Sequence, residues 1–173
     1  IATIGAGAVP LMLASKLDKT KFENICMINT NAKIGSKIKV SGGAKCNITN
    51  ELVTASNYLG DREFVAELLE KFSKNELLAF LNKNAVMPKI NPKIVKGTYF
   101  CNSSQDVIDM FTKLTTHVKK YLNTTVLDID FDKHFKIKTD SKTIEAKKVV
   151  VASGGLSYPV LGASSLAFDI AKK

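Results

Sequence analysis

The sequence predicts an α/β fold built on a parallel sheet, and three features of its first thirty residues carry that prediction. An apolar run at 1–4 ends in a glycine-containing turn at 5–8. Apolar residues at helical density follow over 11–17, and a second apolar run occupies 25–28. Short, continuously apolar runs are typical of parallel strands covered on both faces. Strand, turn, helix and strand in this order predict a βαβ unit with the usual right-handed crossover.

The chain beyond the second strand predicts a long loop and then a helical insertion. Residues 29–57 are rich in Gly, Ser, Asn and Thr without a regular period, which is typical of a functional loop. Asp61 is placed to cap one helix, and Ser73-Lys74-Asn75-Glu76 is a capping box that opens a second. We therefore assign a helical insertion to 58–100.

The remainder of the chain predicts one helix followed by strands. Ser103 is placed to cap the helix, and apolar residues then recur every three or four positions as far as Tyr121, which predicts one buried helical face. A parallel strand at 125–130 and a small antiparallel β-meander follow, and a return strand ends the sheet. The later strands span 135–139, 143–146 and 149–152, and a last helix is expected over 163–171.

The glycine turn lies between a strand and a helix, which is the setting that dinucleotide binding requires. In such a Rossmann-like unit Gly5 makes the tight turn, Gly7 lets a pyrophosphate approach the backbone, and the helix N-terminus at Ala8 supplies N–H groups. Asn29 ends the second strand, where ribose binds. Pro10 replaces the usual third glycine and Asn29 the usual acidic residue. We expect Pro10 to delay the helix start and Asn29 to bind without charge assistance, so the site is weakened or lost.

Composition argues against several other classes of protein. The formal net charge is +9, but every basic residue except Arg62 is a lysine, and the lysines are scattered. Groove and phosphate recognition favour arginine, so we predict no nucleic-acid partner. Three cysteines and two histidines lack the spacing of a disulfide framework or a metal site, which predicts no metal and a cytoplasmic location. No apolar run approaches the roughly 20 residues of a membrane span, so we predict no membrane role.

Two longer motifs are more specific than the glycine turn. The first is Ile34-Gly35-Ser36-Lys37 followed by Ser41-Gly42-Gly43-Ala44-Lys45-Cys46-Asn47-Ile48-Thr49-Asn50, and the second is Ala152-Ser153-Gly154-Gly155-Leu156-Ser157-Tyr158-Pro159. They resemble the I-G-x-K, S-G-G-G-R-C-N-x-T-N and A-T-G-G-x-S-Y-P blocks of the BaiN-like, aminoacetone-oxidase-like FAD-dependent oxidoreductases of bacteria. The resemblance covers nearly the whole chain and corresponds to the N-terminal half of those proteins.

The resemblance implies an α/β, Rossmann-like FAD/NAD(P)-binding domain over 1–173, with a parallel sheet, a β-meander and a helical insertion. It implies FAD as the cofactor, held at its pyrophosphate and adenosine ribose by the first βαβ unit and along the flavin by the glycine-rich loop. NAD(P)H or oxygen would be the redox partner. The implied cofactor-binding residues are Gly5, Gly7, Ala8, Asn29, Lys37, Ser41, Gly42, Gly43, Lys45, Cys46, Asn47, Ser153, Gly154 and Gly155.

Three residues of the glycine-rich loop need separate interpretation. Lys45 stands where the family has Arg, which keeps the charge but loses the planar fork. Ala44 replaces a glycine and restricts the backbone if that position needs a positive φ. Cys46 is either a redox-active thiol beside the flavin or a packing residue, and the lack of a resolving partner favours packing.

The function implied is the FAD-binding portion of an oxidoreductase that transfers hydride through flavin N5. We assign no catalytic residue, because in flavoenzymes the cofactor carries the redox chemistry. The family's chains are longer and Ile1 is not a start residue, so we expect an incomplete protein that is an enzyme only with its missing half. The alternative is a non-catalytic truncated remnant that keeps the fold without tight cofactor binding. The small-molecule substrate stays open, and a missing C-terminal strand predicts self-association through an unpaired sheet edge.

Overall fold

The structure is a computed structural model that describes residues 1–90, 96–162 and 164–172. None of the helices in these ranges combines the length and the apolar character needed to cross a membrane. The strands are β1 (Ala2–Ile4), β2 (Cys26–Ile28), β3 (Asn47–Asn50), β4 (Lys89–Ile90), β5 (Thr98–Phe100), β6 (Lys119–Tyr121), β7 (Val126–Asp132), β8 (His134–Thr139), β9 (Thr143–Ala146) and β10 (Val149–Val151). The α-helices are α1 (Ala8–Lys16), α2 (Ser36–Val40), α3 (Arg62–Lys71), α4 (Lys74–Lys83), α5 (Ser104–Leu114) and α6 (Leu166–Ala171).

The chain divides into two compact units, which we describe separately. The first unit combines Ile1–Ile38 with Phe111–Lys173, and the second is Lys39–Met110. The first unit contains the glycine turn and the return strand, and the second contains the glycine-rich loop.

The first unit is a Rossmann-like α/β arrangement, as the sequence predicts. Its four-stranded sheet has the order β10-β1-β2-β6, and every neighbouring pair in it is parallel. Thr3 lies opposite Met27 on one side and Val150 on the other, so β1 is central. Ala2 and Ile4 pack into an apolar cluster with residues of β2 and of the meander. Burial of this face stabilises the unit at about 25 cal/mol per Å² of apolar surface.

The strand β6 corrects the sequence-based prediction of a single helix as far as Tyr121. Helix α5 ends at Leu114, and the fully buried Thr115 donates its hydroxyl to the Phe111 carbonyl at 2.7 Å. The chain then extends along β2, with Tyr121 opposite Ile28. The apolar spacing continues from α5 into β6 because both elements turn apolar residues towards the interior. Tyr121 therefore fits the predicted helical spacing although it lies in a strand.

The meander also differs in detail from the prediction. We expected a parallel strand at 125–130, but β7 pairs antiparallel with β8, and β8 with β9, in a separate three-stranded sheet. Ile137 of β8 is fully buried in the cluster that the meander shares with the parallel sheet. The last helix is present as α6, while Ala163, where its start was expected, lies outside the described residues.

The second unit contains both predicted helices of the insertion. Asp61 accepts hydrogen bonds from the backbone N–H groups of Glu63 and Phe64 at the start of α3, and Ser73 and Glu76 form the expected capping box of α4.

The segment predicted as a loop contains more regular structure than expected. Helix α2 and strand β3 lie within 29–57, and β3 forms an antiparallel sheet with β5 and β4. Elements of four or five residues are too short for their periodicity to be recognised in the sequence.

Candidate functional site

The glycine turn after β1 adopts a backbone that only glycine accommodates. Gly5 has φ +106°, and its N–H donates to the Ile28 carbonyl at 2.7 Å. A Cβ on Gly5 would overlap the carbonyl group of Ala152, which follows β10. The turn therefore draws the carboxyl ends of three neighbouring strands together at one point.

Helix α1 begins directly after this turn. Gly7 is its N-cap and provides no side-chain cap, and the first helical bond runs from the Leu11 N–H to the Gly7 carbonyl at 3.2 Å. A Cβ on Gly7 would meet nothing within 4 Å, so this position has open space where a side chain would be. The N–H groups of Ala8 and Val9 lie at the N-terminus of α1, and a helix N-terminus favours anions.

Pro10 does not delay the helix start, and that expectation was wrong. Helix α1 begins at Ala8, and Pro10 is its buried third residue. A helix leaves its first backbone N–H groups without internal partners, so a proline at this position removes no helical hydrogen bond. The helix N-terminus stays beside the glycine turn.

Asn29 follows β2 and is held on both sides by backbone hydrogen bonds. Its N–H donates to the Tyr121 carbonyl at 2.9 Å, and its carbonyl accepts from the Thr124 N–H at 3.0 Å. The side-chain Nδ2 donates to the carbonyl oxygens of Asn31 at 3.1 Å and Lys33 at 3.3 Å. The orientation of the amide is thus fixed by two acceptors.

A cavity of about 280 Å³ opens at the carboxyl ends of β1 and β2. It brings together three of the predicted residues, Gly5, Asn29 and Ser153. The Ser153 hydroxyl is buried without a hydrogen-bond partner among the described residues. A buried orphan hydroxyl at the wall of a cavity is expected where a ligand supplies the missing partner.

Several polar residues of this cavity were not predicted from the sequence. They come from the two residues just before β7 and from the segment that leads into and includes α6. No pattern in the sequence relates these segments to the glycine turn, so no signal in the sequence would have indicated them. They are Thr124, Thr125, Ser164, Ser165 and Asp169.

Lys37 and Gly154 lie together in the first unit. The Lys37 Nζ is 3.2 Å from the position that a Cβ on Gly154 would occupy, and Gly154 has φ +84°. The Gly35 N–H donates to the Ala6 carbonyl at 2.8 Å, which ties this segment to the glycine turn. Gly155 has open space in place of a side chain. Lys37 forms no ion pair within the described residues, so its charge is available to an anionic group.

The glycine-rich loop lies in the second unit and forms a left-handed turn. Gly42, Gly43 and Ala44 have φ of +58°, +62° and +68°, and the Lys45 N–H donates to the Gly42 carbonyl at 3.2 Å. Ala44 therefore does occupy a conformation that disfavours a side chain. The Asn47 side chain fills the place of a Cβ on Gly42, and the Ser41 hydroxyl accepts from the Asn47 N–H at 3.3 Å.

Cys46 is buried inside this loop, with 5% of its surface exposed. Burial raises the pKa of its thiol above the ordinary value. A protonated, buried thiol is a poor nucleophile, which supports the packing interpretation. Lys45, by contrast, is exposed, and its carbonyl accepts from the Cys101 N–H at 2.8 Å.

A family model described as the HI0933-like protein Rossmann domain matches residues 1–173. The chain belongs to this family. The match confirms the family that the two long motifs indicated in the sequence. Within the described residues no group of three or more histidine, cysteine or acidic side chains is arranged to hold a metal ion.

Three proteins of similar sequence carry names that describe an activity. The chain is 33% identical to the ribosomal RNA dihydrouridine synthase of Escherichia coli K12 and 30% identical to that of Haemophilus influenzae, covering 98% of this chain in each case and 43% and 44% of the relatives. It is 27% identical to the 3-dehydro-bile acid delta(4,6)-reductase of Clostridium scindens, over 99% of this chain and 43% of that protein. The chain thus spans less than half the length of these relatives.

Solved structures with the same fold are more distant in sequence. THI4 of Thermovibrio ammonificans matches with a TM-score of 0.57 at 12% identity, covering 99% of this chain and 61% of that protein. The 3-ketosteroid-delta4-(5alpha)-dehydrogenase of Rhodococcus jostii RHA1 matches with a TM-score of 0.59 at 13% identity, covering 91% and 46%. At these identities the likeness shows a shared fold.

Proposed function

We propose that this chain is the FAD-binding portion of a flavin-dependent oxidoreductase. The observation that carries the proposal is the cavity at the carboxyl ends of β1 and β2, with the buried orphan hydroxyl of Ser153 in its wall. Gly7 has open space where a side chain would be and leaves the N-terminus of α1 without a side-chain cap, and a helix N-terminus of this kind favours a pyrophosphate. Asn29 presents a polar side chain to the same cavity, so the residues present fit a dinucleotide.

Each of these residues has a separate part in binding. The Ala8 and Val9 amides and the α1 N-terminus favour the negative charge of the pyrophosphate. Lys37 adds a cation that no carboxylate of the described residues neutralises. Ser41–Asn47 of the second unit is assigned to the flavin side by the family resemblance. Bound FAD would supply the hydride carrier at flavin N5, and the protein supplies binding and orientation.

The names of the relatives suggest a substrate class. Dihydrouridine is uridine with one carbon–carbon double bond reduced, and a 3-dehydro-delta(4,6) bile acid carries double bonds conjugated to a ketone. Both names therefore involve the reduction of a carbon–carbon double bond conjugated with a carbonyl group. We propose the same class for the whole protein that contains this chain, with NAD(P)H as the electron donor.

The test uses the full-length protein, reduced anaerobically with NADPH or NADH and mixed with a conjugated enone. Reoxidation of the flavin in proportion to the enone reduced, with no reoxidation by the matching saturated ketone, is the expected result. A flavin that is reoxidised by oxygen but by no conjugated substrate would overturn the substrate class. A colourless protein that takes up no FAD would favour the non-catalytic remnant instead.

Ribosomal RNA is a second candidate substrate, favoured by the names of the two relatives at 33% and 30% identity. It stands against our prediction of no nucleic-acid partner, which rests on the scattered lysines. The two are separated by incubating the reduced protein with unmodified ribosomal RNA and with a steroid enone. Dihydrouridine found by mass spectrometry in the RNA would make the no-nucleic-acid prediction wrong, whereas reduction of the steroid alone would support it.

A further inference from the structure

His117 lies in the turn between α5 and β6, and both of its ring nitrogens are buried without a hydrogen-bond partner among the described residues. The nitrogens are closed off although the residue as a whole is partly exposed. A neutral imidazole carries one N–H donor, whereas a protonated imidazole carries two donors and a positive charge. Protonation within the closed turn would therefore leave two buried donors unpaired beside a buried charge, and both are costly.

The charged groups that face this imidazole are both cations. Lys19, which follows α1, and Lys120 of β6 act on the ring through their positive charges. Lys120 is held in place, because its Nζ donates to the Thr115 carbonyl at 2.6 Å. Within the described part of the chain no carboxylate is among the charges that act on the ring. A proton on His117 would thus add a third positive charge to two existing ones.

The turn that contains His117 leads directly into strand β6. The Lys119 N–H donates to the Ile25 carbonyl at 3.0 Å, and at the other end of the strand the Asn29 N–H donates to the Tyr121 carbonyl at 2.9 Å. Among the described strands, β2 is the single partner of β6 in its sheet. The attachment of β6 therefore depends on this one ladder and on the turn before it.

Strand β6 continues into the wall of the cavity at the carboxyl ends of β1 and β2. Thr124 and Thr125, which line that cavity, lie just beyond the end of β6. The Thr124 N–H donates to the carbonyl of Asn29, another residue of the cavity wall, at 3.0 Å. Detachment of β6 would therefore displace part of the cavity wall.

We propose that His117 makes the attachment of β6 acid-sensitive: a proton on its imidazole opens the turn after α5 and detaches the strand that leads into the cavity wall. Burial, with smaller contributions from Lys19 and Lys120, lowers the pKa of His117 from its ordinary value of 6.5. An opened turn takes up the proton at the ordinary pKa, so the attachment is most stable above about pH 6.5 and weakens as the pH falls through and below that value. This inference concerns the fold of the chain and does not depend on which ligand the cavity binds.

The test measures by NMR how well the Lys119 and Asn29 backbone amides are protected from hydrogen exchange at about pH 7.5 and at about pH 5. In the wild type we expect the protection factor of both amides to fall at least about threefold at the lower pH. In His117→Gln and in His117→Phe it should be equal at the two pH values, because neither side chain titrates. His134→Gln is the matched control, since the chain's second histidine is exposed on β8 and its removal should leave the wild-type decline intact.

An internal control and a second measurement need no variant. The Cys101 amide of the second unit, which donates to the Lys45 carbonyl at 2.8 Å, should keep its protection at both pH values. The ring signals of His117 in the wild type should change over the pH range in which the protection of Lys119 declines. A ring that gains its proton while Lys119 stays protected, or a decline that persists in both His117 variants, would overturn the proposal. An equal decline at Cys101 would mean that acid unfolds the whole chain, and it too would overturn the proposal.

Discussion

Gly5 lies so close to Ala152 that a Cβ on the glycine would overlap the alanine carbonyl group. The contact joins the turn after β1 to the end of β10, two segments separated by most of the chain. This contact distinguishes Gly5 from Gly7, because Gly7, two residues further on, has open space where a side chain would be.

Alanine substitutions at these two glycines should affect different properties, stability at Gly5 and FAD affinity at Gly7. Gly5→Ala combines a positive φ with a backbone overlap, so it should cost at least about 2 kcal/mol of unfolding free energy. Gly7→Ala should cost less than about 1 kcal/mol, the usual penalty at a helix N-cap, but should weaken FAD binding at least tenfold. Urea unfolding and FAD titration of both variants measure this. Equal destabilisation by the two changes would contradict the division of roles.

Ala44 should be improved by glycine. Its φ of +68° places it in the left-handed region, where a side chain costs about 1 kcal/mol. Ala44→Gly should raise the free energy of unfolding by roughly 0.5–1 kcal/mol. The control is Ala66→Gly inside helix α3, where glycine should lower it by a similar amount. A loss of stability in Ala44→Gly would show that the methyl group makes contacts that outweigh the strain.

Cys101 should make stability fall at alkaline pH. Burial, with smaller contributions from Cys46 and Asp106, raises the pKa of its thiol from 9.0 to about 12, and 4% of the residue is exposed. The unfolded thiol loses its proton first as the pH rises, so the stabilisation is complete below pH 9 and is lost towards pH 12.

Between pH 8 and 10.5 this effect amounts to at most about 2 kcal/mol. Urea unfolding at the two pH values should show a smaller decline for Cys101→Ala than for the wild type. The comparison concerns the change with pH, since the cavity left by alanine lowers stability at every pH. Identical declines would mean that the native thiol titrates as it does in the unfolded chain.

The outer edge of β10 should mediate self-association. The Ala2 N–H donates to the Lys148 carbonyl and the Ala152 N–H to the Ile4 carbonyl, each at 2.9 Å, so the alternate groups of Val149 face away from β1. No strand in the described ranges pairs with that side. An open, apolar strand edge is a template for another chain.

Val149→Pro removes an outward N–H and should lower the apparent mass in light scattering at high concentration. Val150→Pro is the contrasting variant, because the inner ladder to β1 would lose a bond and the unit should unfold. A wild type that stays monomeric at all concentrations would contradict the prediction.

The central βαβ unit could be predicted from the sequence because its apolar runs, glycines and spacing all indicate one arrangement. Strand β6 could not, since Val118 and Tyr121 continued the apolar spacing of α5 and nothing in the sequence distinguishes burial in a strand from burial in a helix. Only the pairing of Tyr121 with Ile28 does so.

The conformation of the turn at Gly5 was predictable from the sequence, and the rest of the cavity wall was less so. Gly5 was assigned correctly to a tight turn because its local conformation is a property of the short motif. The effect of Pro10 was predicted wrongly, because the sequence does not say at which residue the helix begins. The cavity residues Thr124 and Asp169 were missed, since their position depends on how distant segments pack.

The proposed FAD site is tested most directly by equilibrium titration of the purified chain with FAD and with FMN, followed by the visible spectrum and by flavin fluorescence. We expect saturable binding of one FAD per chain and at least tenfold weaker binding of FMN, because FMN lacks the adenosine that we propose for the cavity beside Asn29. Failure to bind FAD, or binding of FMN as tightly as FAD, would contradict the proposed site.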